Sequence, residues 1–251
     1  MTAPILEVSG LARAFGGIRA VDGVDLRFAE PGIVGLIGPN GAGKTTLFDL
    51  ITGRQSADSG EIRFEGRRID GLPVHRRARL GFARTFQECR VLVEESCLDN
   101  LLFAAQDQRL GGALGRVFSG RRSAGREALE DAWRLLEMVN LPQFAHRPAG
   151  DLSYGQRRLL EIASTLMARP GVLLLDEPAA GVNPSLLNTV HDVLLRVAAE
   201  RRILLVVVEH NMPFIMSLAA HVVVLHQGRV LEQGSPAAVQ NSPRVVEAYL
   251  G

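Results

Sequence analysis

Apolar and polar residues alternate through the first third of the chain. LEVSG (6–10), VDLRF (24–28) and EIRFEG (61–66) each show this two-residue period, with glycine or proline between them. That pattern predicts short strands of an antiparallel sheet. Three segments break it. IVGLI (33–37) is continuously apolar and followed by turn residues, so it reads as a buried strand. VLLL (172–175) and ILLVVV (203–208) read as parallel strands covered on both faces. Between 87 and 167 the period changes to that of helices: in EALEDAWRLLEMV, Leu129, Ala132, Trp133 and Leu136 fall at i, i+3, i+4 and i+7. A second helix is predicted over 154–168. Ser153 and Gln156 have capping-box spacing at its start. The glycine-rich, basic stretch 111–125 is expected to be a surface loop or a weak helix, with no role assigned.

The strand at 33–37 runs into GPNGAGKTT, and Leu47, Leu50 and Ile51 then return at helical spacing. The glycine-rich segment therefore sits where a strand hands over to a helix. There, unpaired backbone N–H groups and the helix dipole favour an anion. Gly38, Gly41 and Gly43 let the backbone close around a phosphate chain. Lys44 would reach the β- and γ-phosphates and the Thr45 hydroxyl would ligate Mg²⁺. A glycine-rich turn with a surface lysine is the plainer alternative, but the strand and helix flanks favour a cradle for a nucleoside triphosphate.

The two later strands also end in polar residues, Asp176 and Glu177 after the first, Glu209 and His210 after the second. Ligands of open α/β sheets bind beyond the carboxyl ends of the strands, so these residues and the phosphate loop are expected to converge. Asp176 fits a carboxylate that holds Mg²⁺ beside a phosphate loop. Glu177 could orient or activate the attacking water, and His210 could face the γ-phosphate.

Composition narrows the picture. The 251 residues carry 28 Lys plus Arg against 27 Asp plus Glu, a net charge of +1, so there is no nucleic-acid footprint. Cys89 and Cys97 have no metal-ligand partners at familiar spacing, and a reducing cytosol fits. No apolar run approaches the roughly 18 to 20 residues of a membrane span, so the chain is expected to be soluble and to reach a membrane only through a partner.

GPNGAGKTT, the glutamine of RTFQ, LSYGQ, VLLLDEP and a histidine after a valine-rich strand, in this order, resemble the ATP-binding subunit of an ABC transporter over nearly the whole chain. The resemblance implies an α/β fold: a P-loop NTPase core of mostly parallel sheet with helices, an N-terminal antiparallel β region and an inserted helical subdomain. The whole chain, 1–251, would be one nucleotide-binding domain. It would divide into an antiparallel region with the phosphate-loop core (1–87), a helical subdomain (88–168), and the second half of the core with a C-terminal tail (169–251).

The resemblance also implies roles. Phe15 would stack on adenine. Pro39, Asn40, Ala42 and Thr46 would join the loop residues already named around ATP. Gln87 would sense Mg²⁺ and the γ-phosphate, acting with Thr45 and Asp176 at the metal. Ser153 and Gly155, with Gln156, would bind the γ-phosphate of a partner subunit's nucleotide. Glu177 would be the catalytic base and His210 the switch histidine.

ARTFQ, LSYGQRRLLEIA, DEPAAGVNP, VEHNM and RVVEAYLG are similar, more narrowly, to importer ATPases for branched-chain amino acids. Two positions depart from the wider family in ways that branch shares, Tyr154 at the first signature glycine and Asn183 where aspartate is usual; Asn211, after the switch histidine, departs from the branch, which usually has aspartate there. An asparagine there keeps hydrogen bonding and loses charge.

The implied partners are two transmembrane permease subunits, a second ATP-binding subunit (this chain or a paralogue) and, indirectly, a periplasmic or extracellular solute-binding protein. The place implied is peripheral, at the cytoplasmic face of the cell membrane. The main alternatives are a lipid or lipopolysaccharide exporter ATPase and a urea or amide importer ATPase, which would use the same residues. A soluble ABC ATPase acting on DNA or ribosomes usually brings coiled-coil insertions, duplicated cassettes or a basic groove. A metabolic P-loop kinase does not explain LSYGQ.

Overall fold

The alternating N-terminal segments pair as a hairpin, β1 (Leu6–Phe15) and β2 (Ile18–Phe28), turned by Gly16 and Gly17, both at positive φ (53° and 88°). Two such residues suit the right-handed twist of paired strands. The chain then passes through β3 (Gly32–Ile37), α1 (Lys44–Thr52), β4 (Ser59–Phe64), β5 (Arg67–Arg68), α2 (Val74–Leu80) and β6 (Phe82–Arg84). Three longer helices follow, α3 (Cys97–Arg109), α4 (Arg121–Met138) and α5 (Tyr154–Leu166). The rest is β7 (Val172–Asp176), α6 (Pro184–Arg201), β8 (Leu204–Val208), α7 (Met212–Leu218), β9 (His221–His226), β10 (Arg229–Gly234), α8 (Pro236–Gln240) and α9 (Pro243–Leu250). The computed structural model describes residues 3–85, 89–109 and 121–250.

Among the described residues the strands form two sheets. One is antiparallel, in the order β2-β1-β4-β5; the other runs β10-β9-β3-β8-β7-β6 and is parallel except for β10 at its edge. Alternation along the parallel strands now has two destinations, because side chains point to opposite faces. Val34, Leu36, Val172, Leu174, Leu204 and Val206 pack with the antiparallel sheet and with Leu47, Phe48, Leu50 and Ile51 of α1. Ile33, Ile37, Leu173, Leu175, Leu205 and Val207 pack beneath the helices, with Leu159, Leu160 and Ile162 of α5 and Val190, Val193 and Leu194 of α6. Both faces are covered, which is why these strands read as unbroken apolar runs.

The sequence pattern missed several elements. β6, β9, β10, α2 and the C-terminal helices α8 and α9 were not predicted, and the helix drawn over 154–168 stops at Leu166. The stretch expected to be a loop or weak helix over 111–125 is helical from Arg121, inside α4; its residues 111–120 lie outside those described. An interior glycine costs a helix only about 1 kcal/mol, so Gly125 does not stop it.

One buried cation stabilises the handover from α1. Arg77, only 2% exposed, donates from its guanidinium to the carbonyls of Leu50 (2.6 Å) and Ile51 (2.8 Å) in the last turn of α1, and to those of Asp70 (2.6 Å) and Leu72 (2.9 Å). A positive group suits the negative end of a helix. Burial pushes its pKa below the ordinary arginine value, with Asp70 opposing. Arg77→Met should strand these carbonyls and lower unfolding stability by about 3 kcal/mol, readable as a lower denaturant midpoint at unchanged slope.

Candidate functional site

Register sets the site. Leu36 lies beside Val208, and Val208 beside Asp176, so β3, β8 and β7 end side by side. Beyond their ends lies a cavity of about 300 Å³ lined by the loop residues Asn40 to Thr46 together with Ala20, Asp176, Glu177, Val208 and His210. The predicted convergence of three segments is therefore observed.

The loop is shaped by close backbone packing. A Cβ at Gly38 would lie 2.1 Å from the Leu225 carbonyl oxygen, and one at Gly43 would lie 2.1 Å from that of Ala20. Both glycines also have φ in the left-handed region, 151° and 100°, so no other residue fits here. Gly43 ends the loop as the N-cap of α1 without a side-chain cap, and the first turn of α1 carries no acid. The helix start is left to backbone N–H groups, which suits an anion.

Lys44 is buried, and its ammonium donates to the carbonyls of Gly38 (2.7 Å) and Pro39 (3.0 Å). Burial pulls its pKa below the ordinary lysine value, while Glu177 and Asp176 push it back up. The Thr45 hydroxyl and the carboxylates of Asp176 and Glu177 line the same cavity, giving an all-oxygen donor set of the kind a hard divalent cation takes. The residues fit Mg²⁺ with a triphosphate.

Glu177 adopts φ 49°, unusual for a non-glycine residue, and its N–H donates to the Val208 carbonyl (2.9 Å). Its carboxylate meets His210: Nε2 lies 3.0 Å from Oε1. The two strand-end residues predicted to act on water and on the γ-phosphate are thus partners.

Other predicted residues lie apart from this cavity. Phe15 is 42% exposed at the end of β1, its ring covered by the Arg13 guanidinium at 4.9 Å, and it is not among the cavity's lining residues. Ser153 caps α5: its hydroxyl accepts from the Gln156 N–H (3.3 Å) and the Gln156 side-chain oxygen accepts from the Ser153 N–H (2.9 Å). Gly155 packs closely against α6: a Cβ there would meet Leu186 Cδ2 at 2.4 Å, so the leucine side chain would have to move aside. Gln87 lies outside the described residues.

Three charged residues of the site carried no assigned role in the sequence. Arg84 donates to Asp176 (2.9 Å) and Asp49 (2.5 Å), tying the strand end of β7 to α1. Arg158, 1% exposed on α5, pairs with Glu161 (2.7 Å) and donates to the backbone carbonyls of Asp176 and Glu177. Glu209, 3% exposed, accepts from the N–H groups of Ala179 (2.7 Å), His210 (3.1 Å) and Asn211 (3.4 Å). Burial raises its pKa above the usual carboxylate range; the three N–H groups oppose this and Glu177 adds to it. The signal for the arginines was faint. Arg84 ends the three-residue strand β6 and Arg158 lies inside α5, and the strand-end groups they hold are distant in sequence, Asp176 being 92 residues from Arg84 and 18 from Arg158.

Comparison with known proteins agrees with this geometry. Residues 21–180 match the ABC transporter family, and residues 229–251 match the family described as branched-chain amino acid ATP-binding cassette transporter. The chain is 45% identical over 253 residues to the high-affinity branched-chain amino acid transport ATP-binding protein BraF of Pseudomonas aeruginosa, covering 100% of this chain and 99% of that one. It is 39% identical over 257 residues to LivG of Escherichia coli, described in the same words, again covering 100% and 99%. A crystal structure of MJ1267 in its ADP conformation, an ATP-binding cassette of an ABC transporter, superposes with a TM-score of 0.85 at 32% identity, covering 100% of both chains. With its phosphate loop, its strand-end acids and a likeness that runs from end to end, the chain belongs to the ABC transporter family, among its ATP-hydrolysing subunits.

Proposed function

We propose that this chain is the energy-coupling ATPase of an importer for branched-chain or other hydrophobic amino acids. The observation that carries the reading is the end-to-end likeness to BraF together with the C-terminal match over 229–251. Glu177 is the base that takes a proton from the attacking water, with His210, 3.0 Å away, holding its carboxylate. Lys44 and the N–H groups at the start of α1 bind the β- and γ-phosphates. Thr45 and Asp176 hold Mg²⁺, which supplies positive charge against the phosphate oxygens. Gln87 acts at the metal and γ-phosphate, and Phe15 stacks on adenine.

The remaining roles need a second ATP-binding chain. Ser153, Gly155 and Gln156 at the start of α5 meet the γ-phosphate held by the partner, which explains why they lie outside this chain's own cavity. The division into 1–87, 88–168 and 169–251 belongs to the same reading: the helical part moves against two permease subunits at the cytoplasmic membrane face, and a solute-binding protein delivers the solute. Among the described residues no helix is long and apolar enough to cross a membrane. Of the apolar residues Val91, Leu92 and Val93 in the segment that follows Gln87, all expected to line a groove for a short permease helix, Val91 packs against the core, and Leu92 and Val93, each 44% exposed, form the apolar surface offered to that helix.

Glu177→Gln keeps the shape of the side chain and loses the proton acceptor. Turnover should fall at least about 100-fold while ATP affinity, measured by calorimetry, is retained; steady hydrolysis in the purified variant would remove Glu177 from this role.

The sharing of sites is tested by mixing. Lys44→Ala and Ser153→Arg should each be inactive alone, and their mixture should regain ATPase activity, because one site of the heterodimer then joins an intact loop to an intact α5. No recovery, together with a wild-type rate per molecule that does not rise with concentration, would exclude self-pairing.

Val93→Glu should abolish uptake in reconstituted vesicles and leave the ATPase of the isolated subunit unchanged. Normal uptake would place the permease contact elsewhere.

A further inference from the structure

Glu209 is a buried carboxylate whose acceptor capacity is spent on two separate loops. Its Oε1 accepts from the N–H of Ala179, two residues after Glu177, at 2.7 Å. Its Oε2 accepts from the N–H of His210 at 3.1 Å and of Asn211 at 3.4 Å. The loop that carries Glu177 and the loop that carries His210 therefore hang from the same side chain, and their tips meet at 3.0 Å. The Glu177 N–H to the Val208 carbonyl (2.9 Å) also ties these loops, at the backbone of Glu177 itself, whereas the Glu209 bond holds the loop two residues beyond it. A buried carboxylate that accepts from backbone amides of both loops restrains them against each other through charge-assisted bonds, the shortest being that from Ala179.

We propose that Glu209 is a positioning residue for hydrolysis, which holds the Glu177–His210 pair in its working geometry without touching nucleotide or water itself. The inference rests on the assignment of Glu177 and His210 as the hydrolytic pair. A glutamine at 209 retains the volume but presents an NH₂ group where one oxygen accepted, so one of the two loops loses its anchor. ATP binding depends on the phosphate loop, whereas the hydrogen bonds of Glu209 go to Ala179, His210 and Asn211, so the defect falls on the chemical step.

The test compares Glu209→Gln, Glu177→Gln, His210→Ala and the Glu209→Gln/His210→Ala double variant, as the full chain alone and in the reconstituted transporter, for kcat, KM for ATP and Tm. Glu209→Gln should lower kcat by about 10- to 100-fold, part of what positioned acid–base groups supply, with KM for ATP changed by no more than about twofold. Because it acts through the pair, adding Glu209→Gln to His210→Ala should cost less than about threefold further. The proposal is overturned by a near-wild-type kcat, by the same fold loss on the His210→Ala background as on the wild type, or by kcat, KM and Tm deteriorating together. If Glu209→Gln does not fold, Glu209→Asp, which keeps the charge but is one methylene too short to reach both loops, takes the same measurements with the same criteria. Continued turnover in Glu177→Gln would sink the underlying assignment, whereas an inactive Glu177→Gln beside a fully active Glu209→Gln would sink only the positioning role.

Discussion

Leu36, Val208 and Asp176 stand in one row across three parallel strands, and hydrogen bonding between the strands fixes that row to the residue. A slip of one position would turn every side chain of a strand to the opposite face. Here both faces are packed, with different partners on each, so the register cannot drift. Everything chemical in the molecule follows from where the row ends. Two residues past Leu36 the phosphate loop begins. The residue after Asp176 is Glu177, and two past Val208 is His210. The apolar core thus acts as a template that delivers polar groups to a common edge.

Those polar groups are then held by ions from deeper layers. Arg84 ties Asp176 to α1, Arg158 ties the backbone at Asp176 and Glu177 to α5, and Glu209 ties the loops after β7 and β8 together. Buried charges are costly unless every donor and acceptor is used. Their presence around one cavity points to geometric control: each replaces a mobile contact by a charge-assisted bond of defined direction. Arg158 also links α5 to the strand end within one chain, so a displacement of that helix reaches the backbone that presents Glu177.

The order of legibility follows from range. Ile33 to Ile37, Val172 to Leu175 and Ile203 to Val208 declared themselves because burial on both faces leaves no polar interruption. The loop at Gly38 to Thr46 was readable because its glycines answer a local demand of the backbone, and Ser153 with Gln156 because a capping box spans only three residues. Arg84, Arg158 and Glu209 gave no comparable signal, since a lone charge in a sequence does not name a partner across the sheet. β6, with three residues, and β10, RVLEQG, are too short or too polar to stand out beside neighbouring loops, whereas β9 holds the apolar run Val222 to Leu225 and is legible by the same rule as Val172 to Leu175.

Lys44 brings out a different property of the loop. Its ammonium is already engaged by two carbonyls of the segment it closes, those of Gly38 and Pro39. The lysine thereby acts as an internal strut. An incoming anion competes with neutral carbonyls for the same three hydrogens, and it prevails because it brings a full opposite charge to the ammonium where a carbonyl offers only a dipole. Occupancy of the loop is an exchange of partners within a scaffold that needs no refolding, so the entropic cost of shaping the cradle is met once, when the chain folds, and not again at each catalytic cycle.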